Sequence, residues 1–198
     1  MDAKQGAFAV KLARRAIAEW VTKGNEIAPP ECAKSFQQKS GAFTTLHTYP
    51  KRELRGCIGF PEPVMPLVEA IIGSAVCAAQ DPRFEPLQAS ELEKVIVEVS
   101  ILTPPEKVVV QSPAEYPKKI KIGRDGLIIR RGVYSGLLLP QVPVEYGWDA
   151  ETFLEHLCMK ASLPANAWKE KCDIYSFRSE IFGEKKPNGP AAKIRADV

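Results

Sequence analysis

The sequence predicts an α+β fold, and three observations carry the prediction. Strand, turn, strand, proline-marked loop, helix and later strand occur in that order around Phe43 to Ile101, and again around Leu127 to Phe182. Apolar residues at helical spacing fall in blocks before and between these strand segments. The run from Val95 to Leu102 alternates between two faces, as a strand does. The rhythm suggests a duplicated strand and helix unit. With 198 residues and 45% hydrophobic content, the chain suffices for one large domain or two small, tightly joined ones.

Composition removes several function classes before any motif is read. A formal charge of +3 is too small to demand a polyanionic partner. Met1-Asp2-Ala3-Lys4 lacks the basic and apolar regions of a signal peptide, and no apolar run approaches the roughly 20 residues of a membrane span. The expectation is a cytoplasmic protein. Cys32, Cys57, Cys77, Cys158 and Cys172 are odd in number and contain no Cys-x-x-Cys, which argues for reduced thiols. With only His47 and His156 as histidines, no metal site is expected.

The first helix places Phe8, Ala9, Leu12, Ala13, Ala16, Ile17, Trp20 and Val21 on one stripe, and Gly24 ends it. Aromatic and β-branched residues from Gly41 to Tyr49 predict a strand, which Pro50 to Glu53 turn into a second one. That second strand is Leu54-Arg55-Gly56-Cys57-Ile58-Gly59, where a cation, a thiol and two glycines fall within six residues. Alternation sends Leu54, Gly56, Ile58 and Phe60 to the core and Arg55, Cys57 and Gly59 to the opposite face. Arg55 is then close enough to favour the Cys57 thiolate or to hold an anion beside it. The plain structural reading has Cys57 filling a tight space between Gly56 and Gly59.

The hairpin register decides what faces the thiol. If Thr45 or His47 lies across from Cys57 it joins the site; a register one residue off brings Leu46 instead. A His47 and Cys57 pair would begin a nucleophile and base arrangement. Residues 63–79 predict a helix apolar almost all round, with Cys77 a core residue. Pro82 stops it at Asp81, and Asp81-Pro82-Arg83-Phe84 reads either as an ordered turn or as a source of further site residues, Asp81 and Arg83. Ser90 to Glu93 matches a capping box, and a strand follows in which Glu98 lies on a partly solvated face.

In the second half, six basic residues from Lys118 to Arg131 accompany one acid, Asp125. Lys118, Lys119, Lys121 and Arg124 are thus candidates for contact with nucleic-acid phosphates, against the alternative of a lysine-protected sheet edge. No aromatic residue interleaves the cluster to stack on bases. A hairpin follows from Leu127 to Pro140, then a helix capped by Asp149 with Phe153, Leu154, Leu157, Cys158 and Ala161 on its stripe. A last strand runs from Ile174 to about Phe182. The expected organisation is one domain over 1–184, with two intimately packed subdomains, and a flexible polar tail over 185–198.

The hexapeptide at 54–59 resembles the signature of the AMMECR-type family. Asp81 to Leu87, Glu98 to Pro105, Gly123 to Leu127, Gly136 to Val142 and Gly147-Trp148 are similar to its other blocks, in the same order. The resemblance covers nearly the whole chain. It implies a barrel-like, mostly antiparallel sheet with flanking helices, described as two domains or a duplicated unit. It also implies association with Memo-like and radical-SAM proteins in the AmmeMemoRadiSam set, and a regulatory or RNA-related role, without naming a substrate or cofactor. Two functions follow as expectations. One is a thiol-dependent modifying enzyme using Cys57 with Arg55; the other is a non-catalytic module that binds a small molecule, RNA or protein through Arg55, Gly56, Gly59, Asp81 and Arg83.

Overall fold

Each of the two predicted hairpins folds beside its own helix and its own core. The computed structural model describes residues 1–194, which divide into one unit of residues 1–102 with 180–194 and another of 103–179. In chain order the elements are α1 (Ala3–Lys23), α2 (Lys34–Gln37), β1 (Ala42–Thr48), β2 (Leu54–Phe60), α3 (Leu67–Ala79), β3 (Val95–Leu102), β4 (Glu106–Lys107), α4 (Tyr116–Lys119), β5 (Gly126–Arg131), β6 (Tyr134–Leu138), α5 (Val142–Glu145), α6 (Ala150–Lys160), β7 (Asp173–Phe177), β8 (Ser179–Glu184) and β9 (Ala191–Ile194). The α+β, mostly antiparallel architecture takes the form of two open sheets with flanking helices. One has the order β2-β1-β3-β8-β9 and the other β4-β7-β5-β6.

Local chemistry accounts for the helix ends. Asp2 accepts from the backbone N–H of Gln5 while the Gln5 side chain returns to Asp2, and Gly24 closes α1 at φ 70°. Ala9, Leu12, Ala13, Ala16 and Ile17 of α1 join α3 and the inner faces of β1 and β3 in the first core. The second core gathers Leu127, Ile129, Phe153, Leu154, Leu157, Trp168 and Ile174.

The duplication is visible in the topology. β1 lies between β2 and β3, both antiparallel to it, and α3 packs over β1 and β2. β5 lies between β6 and β7, again antiparallel to both, and α6 packs over β5 and β6. One residue repeats as well. Gly56 stands opposite buried Leu46, and Gly136 opposite buried Ile129. A Cβ on Gly56 would lie 2.2 Å from the carbonyl oxygen of Ala78, and one on Gly136 2.7 Å from the nitrogen of Ala161. In both units a glycine of the second hairpin strand lets the end of the helix touch the sheet.

Three boundaries differ from the sequence reading. The expected loose tail from 185 is corrected over 191–194, where β9 pairs with β8 and sets Ile194 across from Ile181. A short Ala-Ala-Lys-Ile run carries little strand signal of its own, and its partner supplies the pairing. Residues 195–198 lie outside the described residues. The final strand divides at Arg178, so that β7 and β8 enter different sheets. The capping box before β3 uses Gln88 and Glu91 rather than Ser90 and Glu93, opening a 3₁₀ turn over 89–94. Among the described residues no helix is long and apolar enough to cross a membrane.

Candidate functional site

The register places Thr45 opposite Cys57 on one side and opposite Glu98 on the other. Cys57, Thr45 and Glu98 therefore form a row across β2, β1 and β3, on the face turned away from α3. The Thr45 hydroxyl donates to the Cys57 sulfur at 3.2 Å. Cys57 itself is half-buried. On the same face the ring of Phe43 covers Gly59, where a Cβ would fall 2.3 Å from it.

β2 is an edge strand, and the outward backbone of Cys57 is closed by side chains instead of another strand. Its N–H donates to Oδ2 of Asp81 at 2.8 Å, and its carbonyl accepts from Nη2 of Arg83 at 3.0 Å. Asp81 also receives the N–H, Nε and Nη2 of Arg83 at 3.1, 3.0 and 2.6 Å. The turn and the site are thus one structure: Asp81 and Arg83 imitate a neighbouring strand at a single residue. The hydrogen bonds from Arg83 hold the buried Asp81 carboxyl well below its ordinary range, against the opposing effect of burial.

Arg55 is committed elsewhere than the sulfur. Its Nε and Nη2 donate to the two carboxylate oxygens of Glu91 at 2.8 and 3.0 Å, and its guanidinium lies 6.0 Å from the centre of the Phe84 ring. This fork-to-fork pair lowers the Glu91 carboxyl. His47 is displaced by an irregularity in the hairpin between Leu46 and His47, so it faces Leu54 across the strands. Its Nδ1 lies 3.6 Å from Glu98 without a hydrogen bond, and Glu98 also pairs with Arg52. The conditional His47 and Cys57 pair is thereby replaced by Thr45 and Cys57. Leu54, expected in the core, is 42% exposed because the edge strand begins beyond the apolar cover.

The basic candidates of the second unit are partly used internally. Lys119 donates to the carbonyl of Val109 at 2.8 Å, and Arg124 holds Asp125 through two hydrogen bonds at 2.7 and 2.6 Å. Lys118 and Lys121 are exposed. Among the described residues no cluster of histidine, cysteine and carboxylate suits a metal ion. Sequence reasoning missed Glu91 as the partner of Arg55 and understated Glu98. The signal for Glu98 was its alternation with Val97 and Val99, which turns it to the same side as Thr45.

Comparison with known proteins places these features in a family. Residues 10–182 match the model of the AMMECR1 family. The chain is similar to the protein MJ0810 of Methanocaldococcus jannaschii, at 55% identity over 188 residues covering 94% of this chain and 93% of that one. It is also similar to MK0488 of Methanopyrus kandleri, at 52% identity over 190 residues covering 94% and 92%. The crystal structure of the uncharacterised protein PH0010 from Pyrococcus horikoshii matches with a TM-score of 0.85 at 50% identity, covering 98% of each chain.

Proposed function

This chain belongs to the AMMECR1 family, and we propose that it acts as a non-catalytic regulatory module that binds its partner over the Cys57, Thr45 and Glu98 face. What supports the reading is the prior commitment of the charged groups around the thiol. Arg55 is engaged by Glu91, Arg83 by Asp81 and the Cys57 carbonyl, and His47 lies beside Glu98. A nucleophilic cysteine depends on a base or a cation directed at its sulfur. Here the sulfur receives a neutral hydroxyl, while the backbone beneath it is clamped. That is the construction of a rigid contact surface, in which binding costs little ordering.

The half-buried sulfur and its Thr45 hydrogen bond favour a second reading, a thiol-dependent modifying enzyme working with Memo-like and radical-SAM proteins. Affinity capture from a cell extract, followed by mass spectrometry of Cys57, separates the two. The binding reading expects Cys57→Ser to retain the partners captured by the wild type and Cys57→Phe to lose them through bulk alone. Loss with both substitutions, or a covalent adduct on Cys57 of the wild type, overturns it.

A further inference from the structure

The second unit contains a polar cavity of about 350 Å³, lined by Thr103, Glu106, Arg124, Asp125, Ser176 and Arg178 among others. One lining residue is an arginine held by a carboxylate. Buried Asp125 takes the Nε and Nη2 of Arg124 and, through Oδ2, the backbone N–H of Lys121 at 2.9 Å. Burial opposes ionisation of Asp125, but the Arg124 and Lys121 hydrogen bonds outweigh it and leave its carboxyl lowered. A guanidinium offers five N–H donors. Asp125 uses two of them, which orients Arg124 and leaves the rest of its fork for another acceptor.

Arg178 supplies a second guanidinium at the end of β7. It influences Asp125 through its charge and, among the described residues, forms no ion pair of its own. Thr103, whose hydroxyl oxygen accepts from the backbone N–H of Arg178 at 2.9 Å, and Ser176 belong to the same lining. Glu106, directly across the β4–β7 ladder from Ser176, is an acidic residue of the same lining. Two cations and two carboxylates line one small space, and with Asp125 already paired to Arg124 the remaining charges select a ligand that is itself dipolar, because an anion alone would meet Glu106 and a cation alone would meet the arginines. The volume lies at the low end of small-molecule pockets, about 300–1,000 Å³, which suits a metabolite of a few heavy atoms.

We propose that this cavity binds a small dipolar metabolite, with a phosphate or carboxylate against Arg124 and Arg178 and an ammonium against Glu106. Arginine matches both oxyanions by its planar fork. The site is independent of the Cys57 face and of any role there.

Isothermal titration calorimetry of the full chain tests it with phosphoethanolamine and β-alanine, which differ in their oxyanion, and with inorganic phosphate, acetate and ethanolamine as fragments. One of the two dipolar probes should bind saturably, about tenfold or more tighter than any fragment, since a charge-assisted contact at each end contributes. Phosphoethanolamine alone would identify the phosphate class and β-alanine alone the carboxylate class. Arg178→Gln should weaken that binding about tenfold. Glu106→Gln should erase the advantage over the free oxyanion. Both side chains are exposed, and circular dichroism verifies that the variants fold. Absence of saturable binding, equal affinity for fragment and dipolar probe, or indifference to Arg178→Gln would each overturn the proposal. So would binding of an oligoribonucleotide that depends on Arg178 when neither dipolar probe binds.

Discussion

Asp81 accepts hydrogen bonds from the backbone N–H of Cys57 and from three N–H groups of Arg83, while its side chain is fully buried. Replacement by alanine strands the Cys57 amide and leaves Arg83 without its anchor. The expected cost is about 3 kcal/mol, read as a lower denaturant midpoint. The pH dependence has a definite sign. The folded carboxyl lies below its ordinary value of 3.8, so its contribution is present above that pH and is lost as pH falls below it. Glu91, lowered by Arg55 from 4.5, adds in the same direction. Acid titration of stability should therefore be shallower in Asp81→Asn than in the wild type. At this scale the sequence singled out Cys57, Arg55, Asp81 and Arg83, but not who holds whom. Asp81 and Arg83 are local, two residues apart, whereas Arg55 and Glu91 are separated by 36 positions. No short pattern encodes such a meeting.

Among the elements, the hairpin strands β2 and β6 share a constraint that side-chain patterns do not express. Gly56 faces the carbonyl of Ala78, and Gly136 faces the backbone of Ala161, in each case at the end of the helix that covers the hairpin. Backbone cannot retreat as a flexible side chain can. Gly56→Ala and Gly136→Ala should each destabilise the protein by about 1–3 kcal/mol through overpacking, measured by thermal or chemical denaturation. Gly132→Ala makes a useful contrast, since there a Cβ meets open space and the cost comes from φ 61° alone. The helices and the principal strands were legible from apolar spacing, because burial on one face is what those patterns record. β9 and the break at Arg178 were not, because each depends on a distant strand rather than on its own residues.

On the scale of the molecule, two topological repeats carry two separate cores. The sequence rhythm of hairpin, helix and strand anticipated this, although residue identities hardly repeat. Separate cores predict separate responses to damage. Leu157 is fully buried in the second core, so Leu157→Ala should cost that unit about 2–5 kcal/mol. In hydrogen exchange, protection should fall across β5 to β7 more than across β1 to β3. Equal loss in both sheets would show that the two units open as one. The repeats also differ where the site lies. Both have the glycine against the helix end, yet the acid and arginine clamp follows only α3; after α6 the chain continues as Ala161, Ser162 and Leu163.

The binding reading rests on the charged groups near Cys57 being held by other partners, and the alkylation rate of Cys57 tests it most directly. Burial raises the thiols of Cys77, Cys158 and Cys172, the last to about 11, and peptide-resolved mass spectrometry separates Cys57 from the other cysteines. Wild type, Arg55→Ala and His47→Ala would be compared with iodoacetamide at neutral pH. With Arg55 held by Glu91 and His47 beside Glu98, the account predicts Cys57 rates within about twofold of one another. A fall of about tenfold or more in either variant would contradict it and point to an activated nucleophile.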